Sequence, residues 1–263
     1  MNLTPILLLF IVVISTGQIN AGVLYPYGTS LDTTNIKAND GVSDEIRLNI
    51  PLFGRYYSSI YVNNNGLLSF DMPINESKTQ DIPIAGETFL APFWADVDNS
   101  LSGDIYYRWS NDSDLLSLNE NELKIYFSDI FYTPKWVLVA TWDKVPCYNS
   151  STDKVNTFQA VLSTDETNTF IMYNYGDIQW ITGTNADGDL EGLSYDVPGR
   201  TPALAGGNSG QINSYFKIPA SLTSSMMNIT STSNVDVPGR WVFKVDRMEV
   251  TYPNMTQSKC TLD

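Results

Sequence analysis

Apolar and polar residues alternate in short blocks along most of this chain, which is typical of half-buried β-strands. The blocks are rich in aromatic and β-branched residues, which pleated sheets favour. A single helix is predicted, at Asp112–Phe127. The predicted strands are Glu45–Ile50, Thr88–Asp98, Asp104–Trp109, Lys135–Asp143, Thr157–Ser163, Thr169–Tyr175, Arg240–Val245 and a short one at Glu249–Tyr252. We therefore expect an all-β fold, a single β-sandwich-like domain with one short helix near 112–127.

A tight hairpin is predicted between Ser59 and Phe70. Its two strand-like flanks enclose an Asn-rich turn, and the dipeptide Asn65-Gly66 tolerates the positive φ angles that such turns need. A ligand site at this motif is the alternative, although turn chemistry explains the same residues. Pro51–Gly54 is expected to end the strand that precedes the hairpin.

The first residues predict a secretory signal peptide. Nine apolar residues, Ile6–Ile14, precede small residues, and cleavage is expected after Gly17 or near Ala21. Because about 20 apolar residues are needed to span a bilayer, an N-terminal membrane anchor is the less favoured alternative. The predicted organisation is a signal peptide at 1–21, an extended N-terminal arm at 22–44, a β domain at 45–250 and a C-terminal tail at 251–263.

The chain has a net charge of −14 at pH 7 and contains no histidine. The negative charge disfavours nucleic acids, anionic membrane surfaces and heparin-like polymers as partners, because these are themselves anionic. The lack of histidine excludes Ser-His-Asp and Cys-His nucleophiles and His-ligated zinc. No later apolar run reaches membrane-spanning length, so we expect no membrane span and a soluble, exported product.

Two cysteines, Cys147 and Cys260, suggest one disulfide in an exported chain. An internal bond would close a loop of more than a hundred residues and would stabilise the fold by roughly 4–5 kcal/mol. The alternative is that Cys260 forms a bond to another chain.

Five Asn-X-Ser/Thr sequons follow the signal peptide, and each predicts a surface position if it carries a glycan. These sequons are at Asn75, Asn111, Asn149, Asn228 and Asn254.

Asp96, Asp98, Asn99 and Asp104 form the sharpest candidate for a metal site. Carboxylate and amide oxygens suit Ca²⁺, which takes six to eight oxygen ligands. The alternative is that these residues cap a strand and form its turn. No other cofactor is expected.

A second acidic group consists of Asp187, Asp189 and Glu191. It lies within a loop predicted at Gly183–Gly192.

Paired carboxylates also raise the possibility of a glycoside hydrolase, which needs two carboxyl groups at a defined separation. Asp96, Asp98 and Asp143 lie beside Trp94 or Trp142, whose rings could stack on sugars.

The tryptophans divide into two groups. Four lie within strand-like segments and are expected in the core, because each ring buries a large apolar area. These four are Trp94, Trp136, Trp142 and Trp241. Trp109 and Trp180 are not assigned, and exposure of either beside Asp or Asn side chains would favour a lectin-like, carbohydrate-binding protein.

Several blocks, in this order and spacing, resemble the NIDO domain, the extracellular module of the nidogen and tectorin families. The blocks are YVNNNGLLSF from Tyr61, APFWADVD from Ala91, GDIYYR from Gly103, WVLVATWDKV from Trp136, VNTFQAVLSTD from Val155, FIMYNYGDIQWITGT from Phe170 and VPGRWVFKVD from Val237. The resemblance implies a secreted, non-catalytic adhesion module of the extracellular matrix, with matrix or cell-surface proteins as partners. It carries over no catalytic residues and leaves the oligomeric state open.

Two places depart from the family pattern. Cys147 lies where relatives tend to have an aromatic residue, which favours a disulfide particular to this chain. Ser194–Gly210 differs from the Gly-rich segment expected there, so the partner of this chain need not be that of its relatives.

Overall fold

The computed structural model describes residues 22–149, 153–182 and 201–254. The framework of the fold is two antiparallel sheets of six strands each. The all-β, sandwich-like fold expected from the sequence is therefore confirmed. The strands are β1 Thr33–Thr34, β2 Ile46–Leu52, β3 Arg55–Asn63, β4 Leu67–Phe70, β5 Thr88–Trp94, β6 Asp104–Ser110, β7 Trp136–Val145, β8 Asn156–Thr164, β9 Thr169–Ile178, β10 Leu204–Gln211, β11 Ser214–Lys217 and β12 Arg240–Lys244.

The first sheet has the strand order β1-β6-β7-β8-β9-β12, and the second has the order β11-β10-β5-β4-β3-β2. In the centre of the first sheet Ala140 pairs with Ala160, which in turn pairs with Tyr173. Every residue of β8 is buried, because one face of this sheet packs on the second sheet and the other face is covered by a helix. A strand buried on both faces loses the strict polar alternation of an exposed sheet.

The strands of the two sheets cross at a large angle. β2 begins beside β6, where Ile46 and Trp109 line the same groove. It ends beside β12, where the Phe53 N–H donates to the Val245 carbonyl at 2.7 Å. Because β6 and β12 lie near opposite edges of the first sheet, β2 runs across that sheet and not along its strands.

Aromatic side chains fill the space between the sheets. Trp142 stacks on Phe158 with ring centroids 5.0 Å apart. Two buried tyrosines of β9 bridge the sheets, because the hydroxyl groups of Tyr173 and Tyr175 donate to backbone carbonyls of β10 and β5, each at 2.7 Å. The four tryptophans expected in the core are all buried.

The predicted helix is confirmed as α1, Ser113–Tyr126. Asp112 caps its N-terminus, because the Asp112 carboxylate accepts hydrogen bonds from the Asp114 and Leu115 N–H groups. Leu115 and Leu123 are buried against the outer face of the first sheet.

The predicted hairpin is confirmed as β3 and β4. Gly66 has a φ of +82°, and a Cβ atom at this position would overlap the Phe93 carbonyl. The strand before it continues through Pro51 to Leu52, two residues further than predicted. It ends at Phe53, whose φ is +48°.

The N-terminal arm packs on the sandwich. Its strand β1 pairs with β6, and Tyr25 is buried in the apolar cluster beneath α1.

The structure differs from the sequence prediction at several elements, and the short strands β1 and β11 are among those not predicted. Glu249–Tyr252 is not a strand but makes a single bridge between Lys244 and Thr251. The glycine-rich strand β10 was also not predicted. Gly207 in this strand leaves room for the Phe216 ring of β11. A 3-10 helix at Ser224–Ser231 was also not predicted. The loop predicted at Gly183–Gly192 lies outside the described residues.

Candidate binding surface

The end of β6 lies at an edge of the first sheet. β1 pairs with β6 at Tyr106 and Tyr107, so Arg108–Ser110 extend beyond this partner. Side chains alternate across a strand. Tyr107 and Trp109 therefore face the mouth between the sheets, and Arg108 and Ser110 face α1.

The first of two hollows at this edge is the Trp109 groove, with a volume of about 310 Å³. It lies between β6 and the start of β2. The Trp109 side chain is 51% exposed there, which is a large fraction for so apolar a residue. The groove is lined by Thr33, Asp44, Glu45, Ile46, Arg47, Tyr107, Arg108 and Trp109.

Charges in the Trp109 groove partly balance. Arg47 Nε lies 2.9 Å from Glu45 Oε2 in an exposed ion pair. Burial, together with the negative charge of Asp44, raises the pKa of the Tyr107 phenol. Tyr107 is therefore neutral at physiological pH and can both donate and accept hydrogen bonds.

The second hollow is the α1 cleft, with a volume of about 400 Å³. It lies between the N-terminal arm and the first turns of α1. Its apolar walls include Leu31, which is 52% exposed, and Leu118, which is 38% exposed. The cleft is lined by Pro26, Leu31, Arg108, Ser110, Asp112, Asp114, Leu115 and Leu118.

Arg108 separates the two hollows and is held in place by the arm. Its Nη1 pairs with the buried Asp32 carboxylate, and its Nη2 donates to the Pro26 carbonyl at 2.9 Å. These contacts fix the arm against β6, so both hollows have a rigid common wall.

The residues predicted as a calcium site are close in sequence but differ in environment. Asp96 is buried, and the Asp98 carboxylate accepts a hydrogen bond from the Ser100 N–H at 2.9 Å. Asp104 forms an ion pair with Lys37 at 2.8 Å.

Asn99 Oδ1 accepts hydrogen bonds from Asn64 Nδ2 and the Ala38 N–H, at 2.9 and 3.2 Å. Across the described residues, no three Asp, Glu or Cys side chains lie close enough together to hold a metal ion. Calcium binding stays a prediction, and Asp187, Asp189 and Glu191 lie outside the described residues.

The sugar-stacking part of the hydrolase hypothesis is wrong. Trp94 and Trp142 are fully buried, so neither ring can contact a substrate. Both indole N–H groups are used internally: Trp94 donates to the Glu76 carbonyl at 2.9 Å and Trp142 to the Asn64 carbonyl at 3.0 Å. Asp143 accepts a hydrogen bond from Tyr27.

The two unassigned tryptophans differ in the same way. Trp180 is buried, and its indole N–H donates to the Val145 carbonyl at 3.0 Å. Trp109 is the one that reaches the surface. Sequence reasoning did not assign Leu31 or Leu118 to a site. Leu31 stands as a single apolar residue among polar neighbours, and Leu118 follows Leu115 and Leu116 in the predicted helix.

The asparagines of all five sequons are exposed, so each side chain is accessible for glycosylation. Their occupancy stays a prediction.

Cys147 is buried beside a cavity of about 340 Å³ that Leu101 and Tyr148 also line. Its predicted partner, Cys260, lies outside the described residues, so the disulfide also stays a prediction.

Comparisons with known proteins agree with the blocks found in the sequence. A family model described as the nidogen-like domain, NIDO, matches residues 58–247. Mouse alpha-tectorin is 43% identical over 243 residues, covering 90% of this chain and 11% of the relative. Mouse nidogen-2 is 30% identical over 259 residues, covering 91% of this chain and 18% of the relative.

A third relative, dendrite extension defective protein 1 of Caenorhabditis elegans, is 28% identical over 240 residues, covering 89% of this chain and 19% of the relative. The chain thus spans less than a fifth of each of these relatives. No solved structure matches it. In the described part of the chain, no helix has the length and apolar character needed to cross a bilayer.

Proposed function

Because the chain belongs to the nidogen-like (NIDO) domain family, we propose that it is a secreted, non-catalytic module that binds proteins of the extracellular matrix or cell surface. The family is one of structural matrix proteins, and no catalytic family is indicated. The apolar opening of the sequence and the five exposed sequons support export.

The observation that carries the proposal is the half-exposed Trp109, which lines the Trp109 groove at an open strand edge. Tryptophan, tyrosine and arginine contribute most to protein interfaces, and Tyr107, Arg108 and Trp109 follow one another on β6. The ion pair of Arg108 with Asp32 makes this edge rigid, so little conformational entropy would be lost on binding.

The proposal can be tested by expressing the full chain, with a C-terminal tag, in cells that deposit a matrix. We expect the protein in the medium and in the detergent-insoluble matrix. Trp109→Ala should lower its affinity for matrix by roughly 30-fold, the effect of losing about 2 kcal/mol at a central interface residue. Phe131→Ala, which removes another exposed aromatic ring, is the matched control.

Retention inside the cell, or equal matrix binding by all three proteins, would contradict the proposal. The thermal unfolding of each variant should be measured first, so that a folding defect is recognised.

A second candidate function is carbohydrate binding. Trp109 stands beside Asp44, Glu45 and Arg47, and sugars are commonly held by an aromatic ring with nearby polar groups. A glycan array probed with the wild type and Trp109→Ala would decide this case. Failure of the wild type to bind any glycan would end it.

A further inference from the structure

The α1 cleft combines apolar walls with an acidic rim. We propose that it binds a segment of a partner protein in which one large apolar side chain is flanked by lysine or arginine. This inference rests on the proposed binding function and names the chemistry of the partner. It concerns the α1 cleft and does not involve the Trp109 groove.

The walls provide the apolar part of the site. Pro26 and Leu31 come from the arm, and Leu115 and Leu118 lie one turn apart on α1. Leu31 and Leu118 leave a large fraction of their surface in water. A volume of about 400 Å³ lies in the range of pockets that hold compact ligands, so one apolar side chain can enter.

The charges around the cleft select a cationic partner. Asp112 and Asp114 are exposed on its rim. The cation in its wall, Arg108, is paired with Asp32 and therefore opposes a positive ligand only weakly. The whole chain carries a net charge of −14, which attracts basic proteins from a distance.

The same charges argue against two other occupants. A second copy of this chain would bring another fourteen net negative charges to an acidic rim. An anion would find the start of α1 already satisfied, because Asp112 Oδ1 accepts hydrogen bonds from the Asp114 and Leu115 N–H groups at 3.0 and 3.2 Å.

The test uses three fluorescein-labelled nonapeptides and fluorescence polarisation. The first has a central leucine between lysines, the second has the same leucine between glutamates, and the third has a central serine between lysines. The protein is the secreted full chain carrying Asn111→Gln, because a glycan at this sequon would lie beside Ser110 and Asp112. We expect the first peptide to bind at least tenfold tighter than the other two, and more weakly as salt increases.

Matched variants locate the binding. Leu118→Ser and Asp114→Lys should each weaken binding of the first peptide at least fivefold. Ile125→Ser removes a 75% exposed apolar side chain from the same helix outside the cleft and should have no effect. Glu249→Lys makes the same charge change on an exposed residue near the opposite sheet edge and should have little effect.

The inference is overturned if the leucine and serine peptides bind equally, or if Glu249→Lys weakens binding as much as Asp114→Lys. It is also overturned if the wild type is retained in the matrix but Leu118→Ser is retained just as well, and the proposed function then still stands. Failure of the wild type to enter the matrix contradicts the proposed function instead, whatever the peptides show.

Discussion

Gln159 holds Tyr25 by two hydrogen bonds, as a neighbouring strand would. The Tyr25 N–H donates to Gln159 Oε1 at 2.8 Å, and Gln159 Nε2 donates to the Tyr25 carbonyl at 3.1 Å. Gln159 is fully buried in β8, and Thr141 and Asn174 bind its remaining polar sites. One side chain thus fixes the arm whose residues Pro26 and Leu31 line the α1 cleft.

We expect Gln159→Leu to release this part of the arm. The change leaves two backbone groups of Tyr25 without partners in a buried place, so the free energy of unfolding should fall by about 2–4 kcal/mol. Hydrogen exchange at the Tyr25 amide should accelerate along with this loss. Gln80→Leu, at an exposed position, should change stability by less than about 0.5 kcal/mol. Unchanged exchange at Tyr25 would show that the two hydrogen bonds do not hold the arm.

The buried Arg240 connects β12 to the helix and to the arm. Its guanidinium donates to Glu122 Oε1 at 2.6 Å, Asn174 Oδ1 at 2.9 Å and the Val23 carbonyl at 2.7 Å. Arg240→Leu should cost about 3 kcal/mol in urea unfolding, because it leaves the Glu122 carboxylate without its cation.

The double variant Glu122→Leu/Arg240→Leu tests the cause of that loss. It should recover part of the stability, since no unpaired charge then remains beneath α1. Additive losses from the two substitutions would show that the ion pair does not couple these residues.

Gly66 and Gly86 both have a φ of +82°, which makes them a matched pair. Gly86→Ala should lose about 1 kcal/mol, because open space surrounds its Cβ position and the left-handed backbone is the main cost. Gly66→Ala should lose at least about 2 kcal/mol more, because its methyl group would overlap the Phe93 carbonyl. Thermal unfolding of the two variants measures the difference, and equal losses would mean that the hairpin moves to admit the methyl group.

Tyr27 makes stability fall at high pH. Burial, with the charge of Asp143 adding to it, raises the pKa of Tyr27 to about 12. Since an unfolded tyrosine ionises near pH 10, the unfolded chain loses this proton first, and the contribution of Tyr27 to stability decreases between pH 10 and 12.

The comparison variant is Tyr27→Phe, which removes the titrating group. Urea unfolding at pH 9, 10 and 11 should show a shallower loss of stability than in the wild type. Tyr56→Phe, an exposed tyrosine of β3, should follow the wild type. Identical slopes for Tyr27→Phe and the wild type would contradict the assignment.

The predicted disulfide can be tested directly. Cys147 is buried, and Cys260 lies outside the described residues. Asn254, six residues before Cys260, donates its N–H to the Tyr126 carbonyl.

With an internal bond between Cys147 and Cys260, non-reducing electrophoresis should show a monomer that migrates faster than the reduced chain. Cys260→Ser should abolish this difference in mobility. A dimer that reduction converts to monomer would contradict the internal bond.

Predictions from the sequence succeeded where a local pattern decides the structure. The central strands, the Asn65-Gly66 turn and helix α1 all depend on neighbouring residues, so each could be predicted without the rest of the chain. β10 was missed because its glycines carry no strand pattern. Gly206 leaves room for the Phe216 carbonyl of the adjacent strand, and Gly207 leaves room for the Phe216 ring.

Apolar and polar alternation indicated an all-β chain, and the ordered sequence blocks resembled the nidogen-like family. The composition gave a net charge of −14 and excluded histidine chemistry. The packed fold alone decided which tryptophan faces water and which polar residues meet. Trp109 and Trp180 both lie at the ends of aromatic strands, yet Trp109 falls beyond the short strand β1 while Trp180 packs between the sheets. The α1 cleft likewise brings together residues from the arm, β6 and α1, because contacts between distant segments depend on how the sheets and helix pack and not on local sequence.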